Sequence, residues 1–422
     1  MKKIIYIIST FMLICLAFSC EDKTEGYVFP KDEYFYDIPD VPVTEDYVVG
    51  VSYELKFRNF VHNVWWDASI TPNGANLLYT GTPKLGEYDH YDDSNLFRQH
   101  LEWGKQAGID FFIFSWGGHG YNDTILAEWQ QLWRTDPGLP KVVIRYDPGY
   151  RFPKASADSL MEKDPDGNYK PWMDSLRFDF DSLYQHVISQ DFAYKKRDDN
   201  KPVMILTNFT NRGHIVSAYD FTNFLRSTVN NNIWILAEMQ TRLTSPERWG
   251  FHAKNGYSGA VSDGYVASDS IRSFDAFFIN DVSTDMYDRN MSLYSFTDYN
   301  YRYWQNCLAP LGKEYVPTVM PSFDNTVNNS SSGTYIIPRW NGQSNSAYSL
   351  GSMKTGTNFN FSNVKKNPYQ EFANVAKRTA DKNPSRIVIV YSWNNFVNGT
   401  SLEPTEEYGN DYLNYTKQFF KK

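Results

Sequence analysis

Three acidic residues of this sequence lie at the ends of apolar runs or in the segment that follows one. They are Asp147, Glu238 and Glu403. Two carboxyl groups held about 5 to 9.5 Å apart can act on a glycosidic bond as general acid and as base or nucleophile. We therefore predict these three as candidate catalytic residues. Structural roles are the alternative, because Asp147 before Pro148 can cap a turn and Glu403 before Pro404 can organise a loop.

Amide, aromatic and acidic side chains hold comparable positions near the ends of other apolar runs. They suit a hydroxyl-rich ligand, because amides donate and accept hydrogen bonds and rings stack on the apolar face of a sugar. The aromatic content of 17% can supply such rings as well as fill a core. We predict an oligosaccharide or polysaccharide as the partner. The predicted substrate-binding residues are Trp116, Trp393, Asn394, Asn395, Asn398, Asn280 and Asp324.

Apolar runs of similar length could form the strands that position these residues. The runs are almost continuously hydrophobic, as expected of parallel strands that are covered on both faces. Helical patterns lie between several of them. This alternation favours one α/β domain, a single (β/α)8 TIM barrel, with its site and long loops at the carboxyl ends of the strands. The predicted strands are 47–53, 109–115, 141–146, 202–207, 233–237, 274–279, 315–320 and 386–392.

Two of the connecting segments carry clear helix signals. Asn367 can cap a helix that begins at Pro368, and Ser94 can cap another that ends at Gly108. Their predicted inward faces are Phe372, Val375, Ala376 and Thr379 in the first, and Phe97, Leu101 and Gly104 in the second. The segment 325–363 is rich in Asn, Ser and Gly and is too long for a simple connection. We predict it as an excursion on the site face or a disordered surface loop.

The amino terminus has the layout of a bacterial lipoprotein signal. Two lysines precede the apolar run 4–18, and cleavage before Cys20 would leave that cysteine to carry the lipid. The acids after Cys20 resemble the surface-export signal of Bacteroidetes lipoproteins. We predict an outer membrane lipoprotein at the cell surface, bound to the membrane through its lipid alone. The periplasmic face of that membrane and an ordinary secreted protein are the alternatives. The predicted divisions are a signal peptide, 1–19, a tether, 20–45, and the barrel domain, 46–422.

Other classes of site find no support in the sequence. It contains no zinc-protease, phosphate-loop or dinucleotide signature, and its seven histidines lack the spacing of metal ligands. Only Cys307 remains as a thiol once the other two cysteines are cleaved off or acylated. The net charge of −8, with no basic run beyond the first residues, argues against nucleic acid. We predict a monomer with no metal, no cofactor and no nucleic-acid partner; a calcium ion held by acidic turns such as 91–95 or 164–168 is the alternative to the absence of a metal.

Several of these stretches resemble glycoside hydrolase family 99, the endo-α-mannosidases, and the related WbsX-type proteins. Residues 91–118 are similar to a helix and strand of that family that end at an active-site tryptophan, here Trp116. Asp147 stands where the family has a glutamate before proline, and Asn280 is near a position that the hydrolases give to tyrosine. Residues 316–326 resemble a Pro-Gly-Tyr-Asp-Asp element. The resemblance runs through most of the chain and implies a TIM barrel that handles α-mannan-like glycans.

The strongest match follows the last predicted strand. Residues 393–404 read WNNFVNGTSLEP, where the family reads Phe/Trp-Asn-Glu-Trp-x-Glu-Gly-Thr-x-Ile/Leu-Glu-Pro. In the family, the resemblance implies, the first glutamate is a base towards the sugar's 2-hydroxyl and the second an acid towards the leaving oxygen. Asn395 and Asn398 stand at these two positions. An amide can perform neither role, although it can still bind a hydroxyl group.

Two hypotheses follow from this replacement. In the first, the protein is a cell-surface glycan-binding protein built on a hydrolase barrel. In the second, it is an active glycoside hydrolase on α-mannan-like polysaccharide, in which other carboxylates of the cleft, Asp147, Glu238 and Glu403, have taken over catalysis.

Overall fold

Parallel strands alternate with helices in the computed structural model, which describes residues 37–55, 81–86, 88–90, 95–147, 172–207, 215–239, 273–280, 293–324, 335–337, 339–340, 348–352, 357–361 and 367–422. The strands are β1 Val48–Tyr53, β2 Phe111–Trp116, β3 Lys141–Tyr146, β4 Val203–Leu206, β5 Trp234–Glu238, β6 Ala276–Phe278, β7 Glu314–Tyr315, β8 Thr318–Val319, β9 Phe323–Asp324, β10 Tyr335–Ile337, β11 Tyr348–Ser352, β12 Thr357–Phe361 and β13 Ile387–Val390. The α-helices are α1 Leu96–Gln106, α2 Tyr121–Thr135, α3 Trp172–Leu183, α4 Ile215–Thr228, α5 Leu293–Leu308, α6 Pro368–Ala380 and α7 Asp411–Phe420. A π-helical turn, Tyr184–Ile188, continues α3, and a 3₁₀ turn, Ala309–Leu311, follows α5.

The main sheet closes on itself as a barrel. Its strand order is β7-β6-β5-β4-β3-β2-β1-β13-β8, and all of its pairings are parallel. The two ends of this order, β7 and β8, are successive pieces of one stretch that Val316 and Pro317 separate. That stretch pairs with β6 through its first half and with β13 through its second. The predicted TIM barrel is therefore confirmed, and its seventh predicted strand is two short strands.

Apolar side chains of the barrel form two layers, because successive residues of a strand point to opposite faces. One layer fills the interior, with Phe111, Ile113, Val143 and Ile389 among its members. The other layer packs the strands against the helices. Gly50 makes room in the interior, since a Cβ atom there would come within 2.3 Å of the Phe111 ring.

Both helices with clear sequence signals are present. The Asn367 side chain accepts a hydrogen bond from the Tyr369 backbone N–H (3.0 Å), so it caps α6 as predicted. The predicted inward residues of α6 and of α1 are buried. Helix α1 ends close to Gly108, whose φ of 72° is in the left-handed region. The predicted cap of α1, Ser94, lies outside the described residues.

The described parts of the predicted excursion contribute strands to a small antiparallel sheet. Its order is β12-β11-β10-β9. The excursion follows β8 and precedes α6, so it leaves the barrel at the carboxyl end of a strand. This is the end at which enzymes of this fold bind their substrates.

The chain before β1 lies against α6. Asn374 accepts a hydrogen bond from the Val41 N–H and donates one to Asp40 Oδ1, both at 3.1 Å. Lys377 donates to the Val41 carbonyl, and Ile38 is buried in the core. Part of the predicted tether is thus held by the barrel. The predicted signal peptide and Cys20 lie outside the described residues, within which no helix has the length and apolar character to cross a membrane.

Candidate functional site

Polar side chains line the inner face of the barrel where its strands end. Most of them follow an apolar interior residue by two positions, as the alternation of a strand requires. We call this set the polar layer: Ser52, Ser115, Arg145, Thr207, Glu238 and Asn280. The polar layer forms the floor of the opening at the carboxyl ends of the strands, which we call the mouth of the barrel. Ser115 of this layer is exposed to solvent.

Arg145 organises the polar layer. Its guanidinium makes a bidentate ion pair with Glu238 from the end of β5, through Nε and, at 2.9 Å, through Nη2. It also donates to Ser115 Oγ (3.2 Å) and, at the limit of hydrogen bonding, to Thr207 Oγ1 (3.5 Å). One side chain therefore connects the ends of β2, β3, β4 and β5.

The electrostatics of the mouth follow from this pair. Burial alone would lower the pKa of Arg145, but the charge and hydrogen bonds of Glu238 raise the pKa above its ordinary value. The charges of Asp147 and Glu54 add to the same effect. The predicted residues Glu238 and Asp147 are thus both brought to the mouth. Their roles differ there, because Glu238 is an ion-pair partner inside the layer and Asp147 follows β3 at its half-buried edge.

Asn280, a predicted substrate-binding residue, also lies in the polar layer. Its side-chain oxygen accepts a hydrogen bond from Ser52 Oγ at 2.5 Å. Ser52 is on β1 and Asn280 follows β6, and these strands are not neighbours in the sheet. The bond therefore spans the barrel, while Asn280 stays partly open to solvent.

Asn394 fixes the end of β1 to the segment after β13. Its side chain accepts from the Glu54 N–H and donates to the Glu54 carbonyl, each at 2.9 Å, and it also donates to the Tyr88 hydroxyl at 3.2 Å. Asn394 is completely buried. In this structure it is a clamp between two strand ends.

Asn395 and Asn398 form a turn at the rim of the barrel. Asn395 Nδ2 donates to the Tyr391 hydroxyl (2.8 Å), and its Oδ1 accepts from the Asn398 N–H (3.1 Å). The Asn398 carbonyl in turn accepts from the N–H of Asp324 at 2.9 Å. Asn395 is only 2% exposed, whereas Asn398 and Asp324 are half-buried. The turn thus brings three predicted substrate-binding residues together.

Glu403 lies in a buried polar cluster behind the mouth. One carboxylate oxygen accepts from the Tyr88 hydroxyl at 2.7 Å, and the other is 3.4 Å from His100 Nε2. His100 Nδ1 and the Tyr53 hydroxyl are 2.7 Å apart. Burial, and next the charge of Glu403, raise the pKa values of Tyr53 and Tyr88, which keeps both as hydrogen-bond donors. Glu403 is 1% exposed, and its predicted catalytic role stays a prediction.

The two predicted sugar-stacking tryptophans are buried. Trp116 lies parallel to Tyr146 and donates from Nε1 to Asp123 Oδ1 at 3.1 Å. Trp393 packs edge-on against Phe112 and His100 and has no exposed surface. Since neither ring has a face open to solvent in this structure, their contact with a sugar stays a prediction.

A groove of about 420 Å³ lies away from the mouth, on the outside of the barrel between α2 and α3. None of the predicted catalytic or substrate-binding residues lines this groove, so the groove does not identify the main site. Among the described residues, acidic, histidine and cysteine side chains form no cluster that could hold a metal ion.

Sequence reasoning missed Arg145, which the structure places at the centre of the layer. The signal was present in the strand sequence KVVIRY, where a charged residue stands on the same face as Val143. Tyr88 and His100 were missed too. Both lie about 300 residues before their partner Glu403 in the sequence, and no sequence pattern predicts that contact.

Comparisons with known proteins bear on the family and on the fold. Residues 352–416 match the family model "Glycosyltransferase WbsX". That segment contains α6, β13 and the turn of Asn395 and Asn398. A comparison with curated proteins finds no match.

Three solved structures with a similar fold are named as glycoside hydrolases or as similar to them. A glycoside hydrolase-like protein has a TM-score of 0.63 and 20% identity, over 93% of this chain and 99% of its own. The family 99 endo-α-mannosidase from Bacteroides thetaiotaomicron, in complex with bis-tris propane, has a TM-score of 0.54 and 14% identity, over 89% of this chain and 97% of its own. A second structure of an endo-α-mannosidase of this family from the same organism gives 0.52 and 13%, over the same shares. The resemblance to family 99 and WbsX-type proteins is confirmed.

Proposed function

We propose that the protein is a surface glycan-binding protein that uses the mouth of a hydrolase-type barrel to hold a polysaccharide without cleaving it. The matching family model is named for a glycosyltransferase and the similar structures for endo-α-mannosidases. Both kinds of protein act on glycans, and this supports a glycan as the ligand. An α-mannan-like chain is the ligand to try first.

The observation that carries the proposal is that two of the three candidate acids are already engaged by neighbouring side chains. These acids would have to replace the family's two glutamates, whose positions Asn395 and Asn398 occupy. Glu238 is held in a bidentate ion pair with Arg145, and Glu403 is buried against Tyr88 and His100. A general acid must carry a proton that it can give to the leaving oxygen. Both carboxylate oxygens of Glu238 accept hydrogen bonds from Arg145, and this engagement opposes a role as proton donor to a ligand. Of the three candidate catalytic acids, only Asp147 then remains, and both glycosidase mechanisms require two carboxyl groups.

The mouth retains groups that bind hydroxyls. Ser115 is exposed, and Asn280, Asn398 and Asp147 are half-buried at the rim. Hydroxyl, amide and carboxylate groups can together accept from and donate to the vicinal hydroxyls of a sugar. Their positions after different strands of the barrel place them around one opening.

The proposal is tested by incubating the purified protein with α-mannan and a panel of other polysaccharides. Binding is followed by retardation in polysaccharide gels, and cleavage by the release of reducing ends. We expect retardation without release, and weaker retardation for Asp147→Asn. The matched control is Asp191→Asn, because Asp191 is 87% exposed and lies in the loop before β4, at the other end of the barrel.

Two outcomes would overturn the proposal. If the wild-type protein releases reducing ends and Asp147→Asn does not, the active-hydrolase hypothesis is correct and Asp147 is one of its acids. If no polysaccharide in the panel retards the protein, glycan binding itself is refuted.

A further inference from the structure

The groove between α2 and α3 has one end at the same side of the barrel as the mouth. It extends from Asp123, in the first turn of α2, to Arg134 in the last turn. Helix α2 follows the carboxyl end of β2, so Asp123 is the end nearer the mouth. The volume of about 420 Å³ is within the usual range of about 300 to 1,000 Å³ for ligand sites.

The lining of the groove combines an apolar floor with amide side chains. Leu126, Leu183 and Val187 form the buried floor. Gln130 from α2 and Gln185 from the π-helical turn provide amides that both donate and accept hydrogen bonds. A sugar ring has the complementary arrangement, with C–H groups on one face and hydroxyls around its edge.

An exposed aromatic ring extends the same face of α3. Phe178 is 64% exposed, and its ring centroid is 5.1 Å from that of His119 at the rim. It precedes Ser182 by four positions, and Ser182 precedes Gln185 by three, so the three residues share one helical face. Ser182 and Gln185 line the groove. Phe178 therefore stands at the mouth-side end of the groove, where a ring can stack on a sugar.

The charged residues at the two ends of the groove have opposite signs. Asp123 is already engaged, since its carboxylate accepts hydrogen bonds from Trp116 and from the Gly120 N–H and lies 2.9 Å from His119 Nδ1. Arg134 is exposed. Because the lining has one acidic and one basic side chain, it has no formal net charge that would favour an acidic ligand over a neutral one.

We propose that this groove is a second carbohydrate-binding site, which takes a neutral oligosaccharide segment of the glycan whose other part lies at the mouth. The inference rests on the proposed function. Two linked sites raise the apparent affinity for a long chain by about 10²–10⁴ over one site, without any new contact at the first. A short oligosaccharide that occupies one site gains nothing.

The test compares long and short ligands with variants of the groove. Ala127→Trp fills the groove from an exposed position of α2, and Phe178→Ala removes the exposed ring. We expect both to weaken retardation by long-chain α-mannan at least about tenfold. The binding of α-mannotetraose at the mouth should remain and should still respond to Asp147→Asn. If another polysaccharide of the panel retards the wild-type protein more strongly, it and its tetrasaccharide replace the α-mannan probes.

Matched controls use the same substitutions elsewhere. Ala309→Trp places a tryptophan on the exposed 3₁₀ turn before β7, and Leu311→Ala removes an exposed apolar side chain that is 49% accessible. Neither should change retardation. If Ala127→Trp and Phe178→Ala are retarded like the wild type, the groove is not a glycan site and the proposed function stands. If the wild type is not retarded at all, both proposals fall.

Discussion

At the scale of single residues, the mouth depends on how one guanidinium is satisfied. Arg145 is buried over most of its surface and yet charged, and such a group is stable only when it is paired and hydrogen-bonded. Glu238 provides the charge, and hydroxyls of β2 and of the end of β4 accept from the remaining N–H groups. The pair therefore holds the polar layer in place whether or not the protein cleaves its ligand.

Replacing Arg145 with methionine should destabilise the protein by about 3 kcal/mol. The change leaves Glu238 buried without its bidentate partner, and breaking a buried ion pair costs about 3–5 kcal/mol; we take the lower end because Arg145 is 21% exposed. The double variant Arg145→Met/Glu238→Gln should recover at least half of the loss. The free energy of unfolding in urea measures both.

The control for this prediction is Arg197→Met. Arg197 also pairs with a carboxylate, Asp110 at 3.2 Å, but it is 47% exposed, so its loss should cost less than about 1 kcal/mol. Equal losses for the two arginine variants would contradict the structural role of Arg145.

Residue types at the strand ends were predictable from the sequence, but their directions were not. Ser115 and Trp116 are neighbours on β2, and the alternation of the strand turns Ser115 into the mouth and Trp116 towards the helices. A shift of one residue in the inferred strand end exchanges the two faces. This is why the sequence favoured Trp116 for the site, whereas Arg145 was found only in the structure.

At the scale of elements, the barrel is held closed by contacts beyond the strand ladders. Asn394, which follows β13, completes both backbone hydrogen-bonding groups of Glu54 at the end of β1. Its amide thus extends the pairing of β1 with β13 by one further step. The turn that carries Asn395 and Asn398 begins at the next residue, so its position depends on this clamp.

Replacing Asn394 with alanine should destabilise the protein by about 2 to 3 kcal/mol. A buried backbone group that loses its partner costs about 1–3 kcal/mol, and we take the lower end for the two affected groups because Glu54 is half-buried. Asn306→Ala, on the exposed side of α5, should change stability by less than about 0.5 kcal/mol. Urea unfolding of the two variants checks the difference, and an equal effect would argue against the clamp.

The contact of the chain before β1 with α6 predicts a pH effect. Burial lowers the pKa of Lys377 to about 8, although the charges of Asp381 and Asp40 partly oppose this. Between pH 8 and 10.5 the unfolded chain still binds the proton that the folded side chain has released. The free energy of unfolding contributed by Lys377 therefore rises with pH in this window, and below it the penalty of charging the buried amine is complete.

The variant Lys377→Met should lack this rise. Its stability relative to the wild type should be highest at pH 7 and should fall as the pH increases from 8 to 10. Urea unfolding at intermediate pH values measures the difference between the two proteins, which removes the contributions of other lysines. Parallel pH profiles would show that Lys377 is not titrating in this range.

The strands of the barrel could be predicted from the sequence, because parallel strands that are covered on both faces are almost continuous apolar runs. Runs such as 386–392 are apolar on both faces, and they were found with boundaries within about two residues of the observed strands. The strands β9 to β12 were not predicted. Their segment is rich in Asn, Ser and Gly, which have low strand propensity, so only tertiary context makes them strands.

At the scale of the whole molecule, the chain enters the barrel at one end and the polar layer lies at the other. The chain enters β1 from the side of residues 37–45, which is the amino-terminal end of the strands. The polar layer lies at the opposite end. The predicted lipid on Cys20 would be joined to the barrel through the segment 37–45, part of which lies along α6.

This arrangement leads to a prediction about anchoring. The variant Cys20→Ala should lose its acyl chains and move from the detergent phase to the aqueous phase in a Triton X-114 partition of bacterial cells, since the lipid is the predicted source of membrane affinity. Cys15→Ala is the matched control, because Cys15 lies within the predicted signal peptide and should leave with it. Retention of Cys20→Ala in the detergent phase would refute anchoring through Cys20. Release of both variants would instead assign the effect to impaired processing of the signal.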